Sequence, residues 1–163
     1  MKTIATTVAF IFTLIFAQAE DKQYNEHGFS FTHSADLSTT VTGEAVKTIL
    51  VKNEKGTQFL LQNYNETITP EALQPMMMTG LIKQFGDKAT QLENKAVVRS
   101  ILGKKREGSY LLIIEQGIPI ECIVFIFKEG GNTFCFMTQQ PLKDTPQAEK
   151  YFAQIQSTLK FEK

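Results

Sequence analysis

Two unbroken apolar runs constrain the fold of this chain more than any other feature. Residues 111–114 read Leu-Leu-Ile-Ile, and residues 123–127 read Ile-Val-Phe-Ile-Phe. Successive side chains of a strand point to opposite faces of the sheet, so an unbroken run places apolar groups on both. A sheet with one face in water would alternate instead. We therefore expect a sheet with helices covering both of its faces.

The two runs belong to a series of short strands separated by glycine-containing links. The predicted strands cover residues 28–32, 45–52, 57–64, 96–102, 110–116, 118–127 and 133–138. Short links join antiparallel neighbours, whereas parallel neighbours need long crossovers. The series predicts a central, mostly antiparallel sheet of about six or seven strands.

Two Thr-Pro pairs, Thr69-Pro70 and Thr145-Pro146, mark the starts of two helices. Threonine caps the first backbone N–H groups, and proline is tolerated at the first helical position. The apolar stripes are predicted to be Leu73, Met76, Met77, Leu81 and Phe85 in the first helix, and Ala148, Phe152, Ile155 and Leu159 in the second. Pro75 predicts a kink or a delayed start of the first helix. The fold class is therefore α+β.

The first nineteen residues have the pattern of a signal peptide. Lys2 gives a basic start, residues 4–16 are mostly apolar, and Ala17-Gln18-Ala19 is a small-x-small cleavage site. We predict a signal peptide over residues 1–19 and a mature chain that begins at Glu20, exported to the periplasm or the extracellular space. The apolar stretch is shorter than the roughly 20 residues of a membrane-spanning helix, so no integral membrane segment is expected after cleavage.

The mature chain is predicted to be a single domain with almost no net charge. Residues 20–163 are predicted to form a single domain, because this length is typical of one hydrophobic core. The whole chain has 17 basic and 17 acidic residues, so loss of Lys2 leaves a net charge of −1. Such a balance offers no field that attracts nucleic acid. The basic run Lys104-Lys105-Arg106 lies between two glycines and is interpreted as a solvated hairpin loop.

Export permits disulfides, but the predicted strand register argues against one between Cys122 and Cys135. A turn at the pair Gly130-Gly131 sets Ile126 opposite Cys135 and Cys122 opposite Gln139. The two sulfurs would then lie roughly 13 Å apart along the strands, while a disulfide needs Cα atoms within about 7 Å. We expect two buried, inert thiols.

The two histidines, His27 and His33, are candidates for metal binding. Six residues apart on one strand, their rings would stand about 20 Å apart and could not share an ion. His33 with Asp36 remains a candidate metal pair. The ordinary interpretation is that both imidazoles lie at strand ends, wetted at the rim of the sheet.

Two short motifs have structural as well as functional interpretations. Met76-Met77-Met78 offers thioethers for Cu(I), but consecutive helical residues point about 100° apart, so core packing of Met76 and Met77 is favoured. Asn65-Glu66-Thr67 fits an N-glycosylation sequon, which matters only in a eukaryotic host.

Two segments resemble the PsbP-like superfamily: residues 28–31, Gly-Phe-Ser-Phe, and residues 151–161, Tyr-Phe-Ala-Gln-Ile-Gln-Ser-Thr-Leu-Lys-Phe. With the order of elements, the resemblance spans Tyr24 to Phe161. It implies a PsbP-like α/β/α sandwich. The superfamily includes an extrinsic photosystem II subunit, a Ran-binding nuclear protein and exported bacterial proteins, most of them non-catalytic. The chain lacks the Pro and Trp that often follow the family's first strand, which argues against a photosynthetic role.

The resemblance and the motifs leave two hypotheses for the function. The favoured one is an exported, non-catalytic binding or accessory domain, whose partner is a protein or a small ligand. The alternative is a metal-binding protein or an enzyme whose site combines distant carboxylates. No catalytic or cofactor-binding residue is assigned and no cofactor is expected, because the sequence contains no phosphate loop, Cys-x-x-Cys or His-Glu-x-x-His motif.

Overall fold

The computed structural model describes residues 20–64, 68–86 and 90–161, in which ten strands and two helices are formed. The strands are β1 (Lys22–Glu26), β2 (Phe29–His33), β3 (Ser38–Thr42), β4 (Thr48–Lys52), β5 (Gln58–Tyr64), β6 (Thr90–Ile101), β7 (Lys104–Glu115), β8 (Ile118–Glu129), β9 (Asn132–Pro141) and β10 (Lys160–Phe161). The helices are α1 (Pro70–Phe85) and α2 (Thr145–Thr158), and a short 3-10 turn, Leu142–Asp144, precedes α2. The leader and the Asn65 sequon lie outside the described residues.

The strands form two antiparallel sheets. The larger has seven strands in the order β3-β4-β5-β9-β8-β7-β6, and the smaller has three in the order β1-β2-β10. Strands β5 and β9 are neighbours, with Leu61 opposite Phe136, although α1 and three strands separate them in the chain. The large sheet is antiparallel and has seven strands, as predicted, but its membership differs, because the predicted strand at residues 28–32 is β2 of the small sheet and β3 takes its place. The small sheet and its strand β10 were not predicted. The sequence analysis did not predict β1 or β3, whose polar residues give a weak apolar pattern.

Tight glycine turns fix the register of the long hairpins. Gly130 and Gly131 both have positive φ, 58° and 96°, as the two-residue turn between β8 and β9 requires. Cys122 lies opposite Gln139 and Ile126 opposite Cys135, as predicted. Both cysteines are free and buried. Burial raises the pKa of each thiol to about 12, with Glu121 adding to the effect at Cys122.

One face of the large sheet carries an aromatic core, which also lies against α2 and the small sheet. Its phenylalanines are Phe29, Phe31, Phe59, Phe125, Phe127, Phe134 and Phe136. The ring of Phe134 stacks on that of Phe161 in β10, with centroids 3.9 Å apart. The small sheet is thereby joined to the large one through side chains, since the two sheets share no strand.

The opposite face of the large sheet packs against α1. Leu73, Leu81 and Phe85 of the helix are buried, and they join a second apolar cluster with Leu111 and Val124 of the sheet. The Thr69 side chain caps the helix, accepting a hydrogen bond from the Ala72 N–H at 3.4 Å. The helix begins at Pro70, so Pro75 does not delay it.

The prediction that helices cover both faces is wrong. Helix α2 shares its face with the three-stranded sheet, and α1 packs over the strands from β5 to β7 but not over β3 and β4. On the α1 side, β3 and β4 carry Thr40, Thr42 and Thr48, none of which is buried. Hydroxyl side chains lose nothing by facing water. The unbroken apolar runs belong to the central strands, and they do not represent the whole sheet.

Two predicted core residues are more exposed than expected. Met76 is 66% exposed. At 100° per residue it lies about 120° from the middle of the buried stripe formed by Leu73, Met77, Leu81 and Phe85, so its assignment to the core was wrong. Phe152 is only half-buried, although it stacks on Phe59 with ring centroids 6.3 Å apart.

The basic run is not a solvated loop. Lys104, Lys105 and Arg106 begin strand β7, and the turn itself is Leu102-Gly103. The Arg106 guanidinium lies 4.3 Å from the centre of the Phe127 ring and donates a hydrogen bond of 2.5 Å to Glu129. The guanidinium of Arg106 thus packs on an aromatic ring and pairs with a carboxylate. Arginine commonly covers the edge of an aromatic core in this way.

Candidate functional site

A cleft of about 820 Å³ opens at one end of the molecule. Four elements meet there: the first residue of β1, the link from β2 to β3, the turn from β4 to β5, and the start of α2. Leu37 and Thr57 are buried at its base, and the remaining lining residues are mainly polar. Its volume and its convergent polar groups make this cleft the first candidate for a binding site.

Both signs of charge line this cleft. The cations are Lys22, Lys52 and Lys55, and the anions are Asp36, Glu54 and Asp144. Lys22 Nζ donates a hydrogen bond of 3.2 Å to the Leu37 carbonyl, which ties β1 to the link between β2 and β3. No carboxylate of the described residues lies within 4 Å of the ammonium groups of Lys52 and Lys55. The charges are thus available to a ligand that carries both signs.

A hydrogen bond between Tyr151 and Asp36 joins α2 to the cleft wall. The Tyr151 hydroxyl donates to Asp36 Oδ2. Partial desolvation raises the pKa of Asp36, but hydrogen bonds from Ser34 and Tyr151, together with the charge of Lys55, outweigh it and lower this pKa below its ordinary value. Desolvation and the bond to Asp36 raise the pKa of Tyr151. At neutral pH the pair is therefore a carboxylate held by a neutral phenol.

Asn53 holds the turn that carries two of the cleft lysines. Its Oδ1 accepts hydrogen bonds from the backbone N–H groups of Lys55 and Thr57, at 2.9 and 3.0 Å. The Asn53 N–H in turn donates to the Thr57 carbonyl at 3.0 Å. An asparagine that bonds to its own turn in this way reduces the turn's conformational freedom. Lys52 and Lys55 are therefore presented from an ordered backbone.

The structure does not place His33 and Asp36 as a metal pair. His33 is 3% exposed, which contradicts the expectation of a wetted imidazole at the rim. Its Nδ1 lies 2.9 Å from the Ser34 carbonyl, so this nitrogen carries the proton, and Nε2 accepts from the Thr39 hydroxyl at 3.0 Å. Both ring nitrogens are thus engaged, and Asp36 bonds to Tyr151 instead.

The other candidate groups are also dispersed. His27 lies at the turn between β1 and β2, where its Nδ1 is 2.9 Å from the Tyr24 hydroxyl. Within the described ranges, no three His, Cys, Asp or Glu side chains converge as a metal site would require. The high pKa of Cys122 and Cys135 disfavours the thiolate that a nucleophile needs. The arrangement in the cleft is therefore suited to recognition by charge and hydrogen bonding.

Sequence reasoning missed most of the cleft residues. Residues 53–56 were predicted only as a hairpin link, and Tyr151 was not placed in the buried stripe of α2, although it is 7% exposed. The cleft is assembled from four segments that lie far apart in the chain. Asn53 was the one local signal, because asparagine followed closely by glycine is typical of an ordered turn.

Comparison with known proteins identifies the fold. No protein-family model matches the sequence, and no curated protein matches it significantly. The solution structure of a cyanobacterial PsbP, CyanoP from Synechocystis, is similar with a TM-score of 0.53 at 10% identity, over 88% of this chain and 94% of that one. The chain has the PsbP-like fold. This result confirms the resemblance inferred from residues 28–31 and 151–161.

Two further structures share this fold. The Ran-binding protein Mog1p of Saccharomyces cerevisiae has a TM-score of 0.50 at 7% identity, over 88% of this chain and 96% of Mog1p. LpqN of Mycobacterium tuberculosis, which is involved in cell envelope biogenesis, has a TM-score of 0.51 at 8% identity, over 88% and 91% of the two chains. At these identities the likeness concerns the fold alone.

In the part of the chain that the structure describes, neither α1 nor α2 is both long and apolar enough to span a bilayer.

Proposed function

We propose that this chain is an exported, non-catalytic binding domain whose end cleft holds a polar segment of a partner protein. The observation that carries the proposal is the cleft of about 820 Å³ with three lysines and three carboxylates on its walls. A peptide segment offers carbonyl oxygens, N–H groups and side chains of both signs. Such a ligand can pair with both the lysines and the carboxylates of the cleft, whereas a simple anion or cation pairs with only one of the two.

The ordered walls support this proposal. Tyr151 fixes Asp36, Asn53 fixes the turn that carries Lys55, and Lys22 bonds to the Leu37 carbonyl. A site whose groups are already held in place loses less conformational entropy when a ligand binds. The distribution of the other reactive side chains favours binding over catalysis, because no described thiol or imidazole faces this cleft.

The names of two similar structures are consistent with the proposed role. Mog1p binds the protein Ran, and LpqN is involved in cell envelope biogenesis. We extend to this chain only the general idea of an accessory domain that engages another macromolecule. Export is proposed from residues 1–19, so the partner is sought in the exported compartment.

The experiment is an affinity capture from the exported fraction with two matched double variants. Asp36→Ala with Lys55→Ala removes one charge of each sign from the cleft, and Glu44→Ala with Lys47→Ala does the same in the link between β3 and β4. We expect the wild type and the second variant to recover one common protein, and the cleft variant to lose it. Equal recovery by both variants would reject the cleft as the site.

Two further measurements on the same preparation test the rest of the proposal. Intact mass should place the mature N-terminus at Glu20, and retention of residues 1–19 would reject export by cleavage of the leader. Elemental analysis of protein from the native host should show no stoichiometric metal. One bound ion per chain, lost on changing His33 or Asp36, would replace this proposal with the metal-site alternative.

A further inference from the structure

The outer edge of strand β6 is the longest unpaired edge in the described residues. Strand β6 is the last strand of the large sheet and covers twelve residues, whereas β3 at the opposite edge covers five. A strand edge presents unpaired N–H and C=O groups that another strand can bind. Proteins usually protect such edges with short strands, bulges or outward charges. Strand β6 has a bulge only at its beginning, between Gln91 and Glu93.

The hairpin turn determines which backbone groups face outward. Leu102 and Gly103 form a two-residue turn with φ of 54° and 72°, so Ile101 and Lys104 are a hydrogen-bonded pair. Pairs alternate along an antiparallel ladder. Ser100, Val98, Ala96 and Asn94 therefore direct their N–H and C=O groups away from β7. The Ser100 carbonyl accepts a hydrogen bond from Gln156 of α2, as this assignment requires.

The charged side chains of β6 bind groups of their own sheet or of α2 and do not guard the edge of the strand. Lys95 Nζ lies 2.8 Å from Glu93 and 4.6 Å from the centre of the Tyr110 ring. Arg99 forms two hydrogen bonds, of 2.6 and 2.8 Å, with Glu149. By contrast, Val98 is 57% exposed on the strand. The edge thus combines free backbone groups with an exposed aliphatic side chain.

We infer that β6 pairs with β6 of a second copy of this chain, antiparallel and centred on Ala96. In this register Ala96 faces Ala96, and Asn94 faces Val98, so that the three outward residues form about six main-chain hydrogen bonds. Glu93 of each copy lies opposite Arg99 of the other. Arg99 has donors left for this contact, because a guanidinium has five N–H groups and Glu149 uses two of them.

Charge selects this register over its neighbours. A pairing centred on Val97 would set Lys95 opposite Arg99 of the second copy, and one centred on Lys95 would set two lysines opposite each other. Like charges directly opposite destabilise a strand pair. The dimer would have a continuous sheet of fourteen strands, twice the seven of each copy. The proposed cleft involves β1, the β4–β5 turn and α2, so both clefts would remain open.

The first test is sedimentation velocity over about 1 to 300 µM protein, a range that brackets micromolar affinity. The wild type should shift from one copy to two as concentration rises. Ala96→Lys sets two lysines opposite each other at the centre and should weaken association by about tenfold or more. Thr40→Lys, at the middle of the opposite edge strand β3, is the matched control and should associate like the wild type.

The second test examines the register directly. Ala96→Glu alone should also weaken association, but an equimolar mixture of Ala96→Lys and Ala96→Glu should form a heterodimer detectable by native mass spectrometry. Restored association requires the two positions to meet. A wild type that stays at the mass of one copy throughout, or an Ala96→Lys variant that associates as well as Thr40→Lys, overturns the interface. If the mixture of the two variants forms no heterodimer, the register centred on Ala96 is overturned.

Discussion

The two faces of the large sheet are built from the same strands but from different kinds of side chain. Along β8 and β9, residues such as Phe125 and Phe136 point to the aromatic core, while Cys122, Val124 and Cys135 point to α1. The aromatic face is covered by a helix and a second sheet, and large rings fill the space between them. On the α1 face a single helix packs directly on the sheet, so smaller side chains fill the space between them. Alternation along one strand can thus encode two different cores.

Removal of a ring from the aromatic core should have the largest effect. Phe125 is 1% exposed in the middle of β8. Phe125→Ala should lower the free energy of unfolding by about 3 to 5 kcal/mol, through lost burial and the cavity that remains. Urea denaturation measures the change. A loss below that of an exposed substitution such as Met76→Ala would mean that the aromatic face does not dominate stability.

Gly108 tests how closely that face is packed. A Cβ atom on Gly108 would lie 2.5 Å from Phe125 Cδ1 and from the Val124 carbonyl oxygen. Gly108→Ala should therefore destabilise the protein by about 1 to 3 kcal/mol. Gly80 in α1 has open space around its Cβ position, and Gly80→Ala should stabilise by about 0.5 to 1 kcal/mol. If Gly108→Ala and Gly80→Ala shifted the melting temperature in the same direction, the contrast between a closely packed position and an open one would be contradicted.

Two adjacent methionines test the packing of α1. Met77 is half-buried, and its sulfur accepts a hydrogen bond of 3.7 Å from the Tyr64 hydroxyl, whereas Met76 is 66% exposed. Met77→Ala should cost about 1 to 2 kcal/mol, below the range for full burial, and Met76→Ala less than about 0.5 kcal/mol. Equal urea midpoints for the two variants would show that the helix is rotated from the position described.

The smallest effect at neutral pH concerns the two thiols, whose contribution to stability should change only in alkali. Burial raises the thiol pKa of Cys122 and Cys135 from 9.0 to about 12, so between these values the folded state holds protons that the unfolded state releases. The stabilising contribution of the two protonated thiols is therefore fully present below about pH 9, and the free energy of unfolding falls as the pH rises toward 12. The decline, measured by urea titration at several pH values, should be less steep when both cysteines are alanine. Identical slopes would contradict buried thiols on the α1 face.

Local chemistry determined what the sequence could predict. The Gly130-Gly131 turn gave the register of β8 and β9, and the Thr-Pro pairs located the starts of both helices, because turns and helix starts act over a few residues. The prediction that threonine caps each helix holds only for Thr69, since Thr145 is the first residue of α2 and follows the N-cap Asp144. Strand β1 was missed, since its sequence, Lys-Gln-Tyr-Asn-Glu, has no apolar alternation. It is a strand because it pairs with β2. Tertiary pairing of this kind overrides local preference.

The candidate cleft was harder to predict than the fold. Asp36 was considered with His33 because the two lie three positions apart in the chain, yet its partner is Tyr151, 115 residues away. Arg106 appeared to be a loop charge until the structure placed it on Phe127. In each case the partner comes from another layer of the fold, and no spacing within one segment contains that information. The predicted single domain and the predicted absence of site residues stay predictions.

The small sheet joins the two ends of the described chain. Strand β2 pairs with β10, and the Thr32 N–H donates to Thr158 Oγ1 across a separation of 126 residues. Phe161 cannot stack on Phe134 until β10 has paired with β2. Closing so long a loop is entropically costly and slows folding. Until that pairing forms, the aromatic face lacks its final ring and the core stays incomplete.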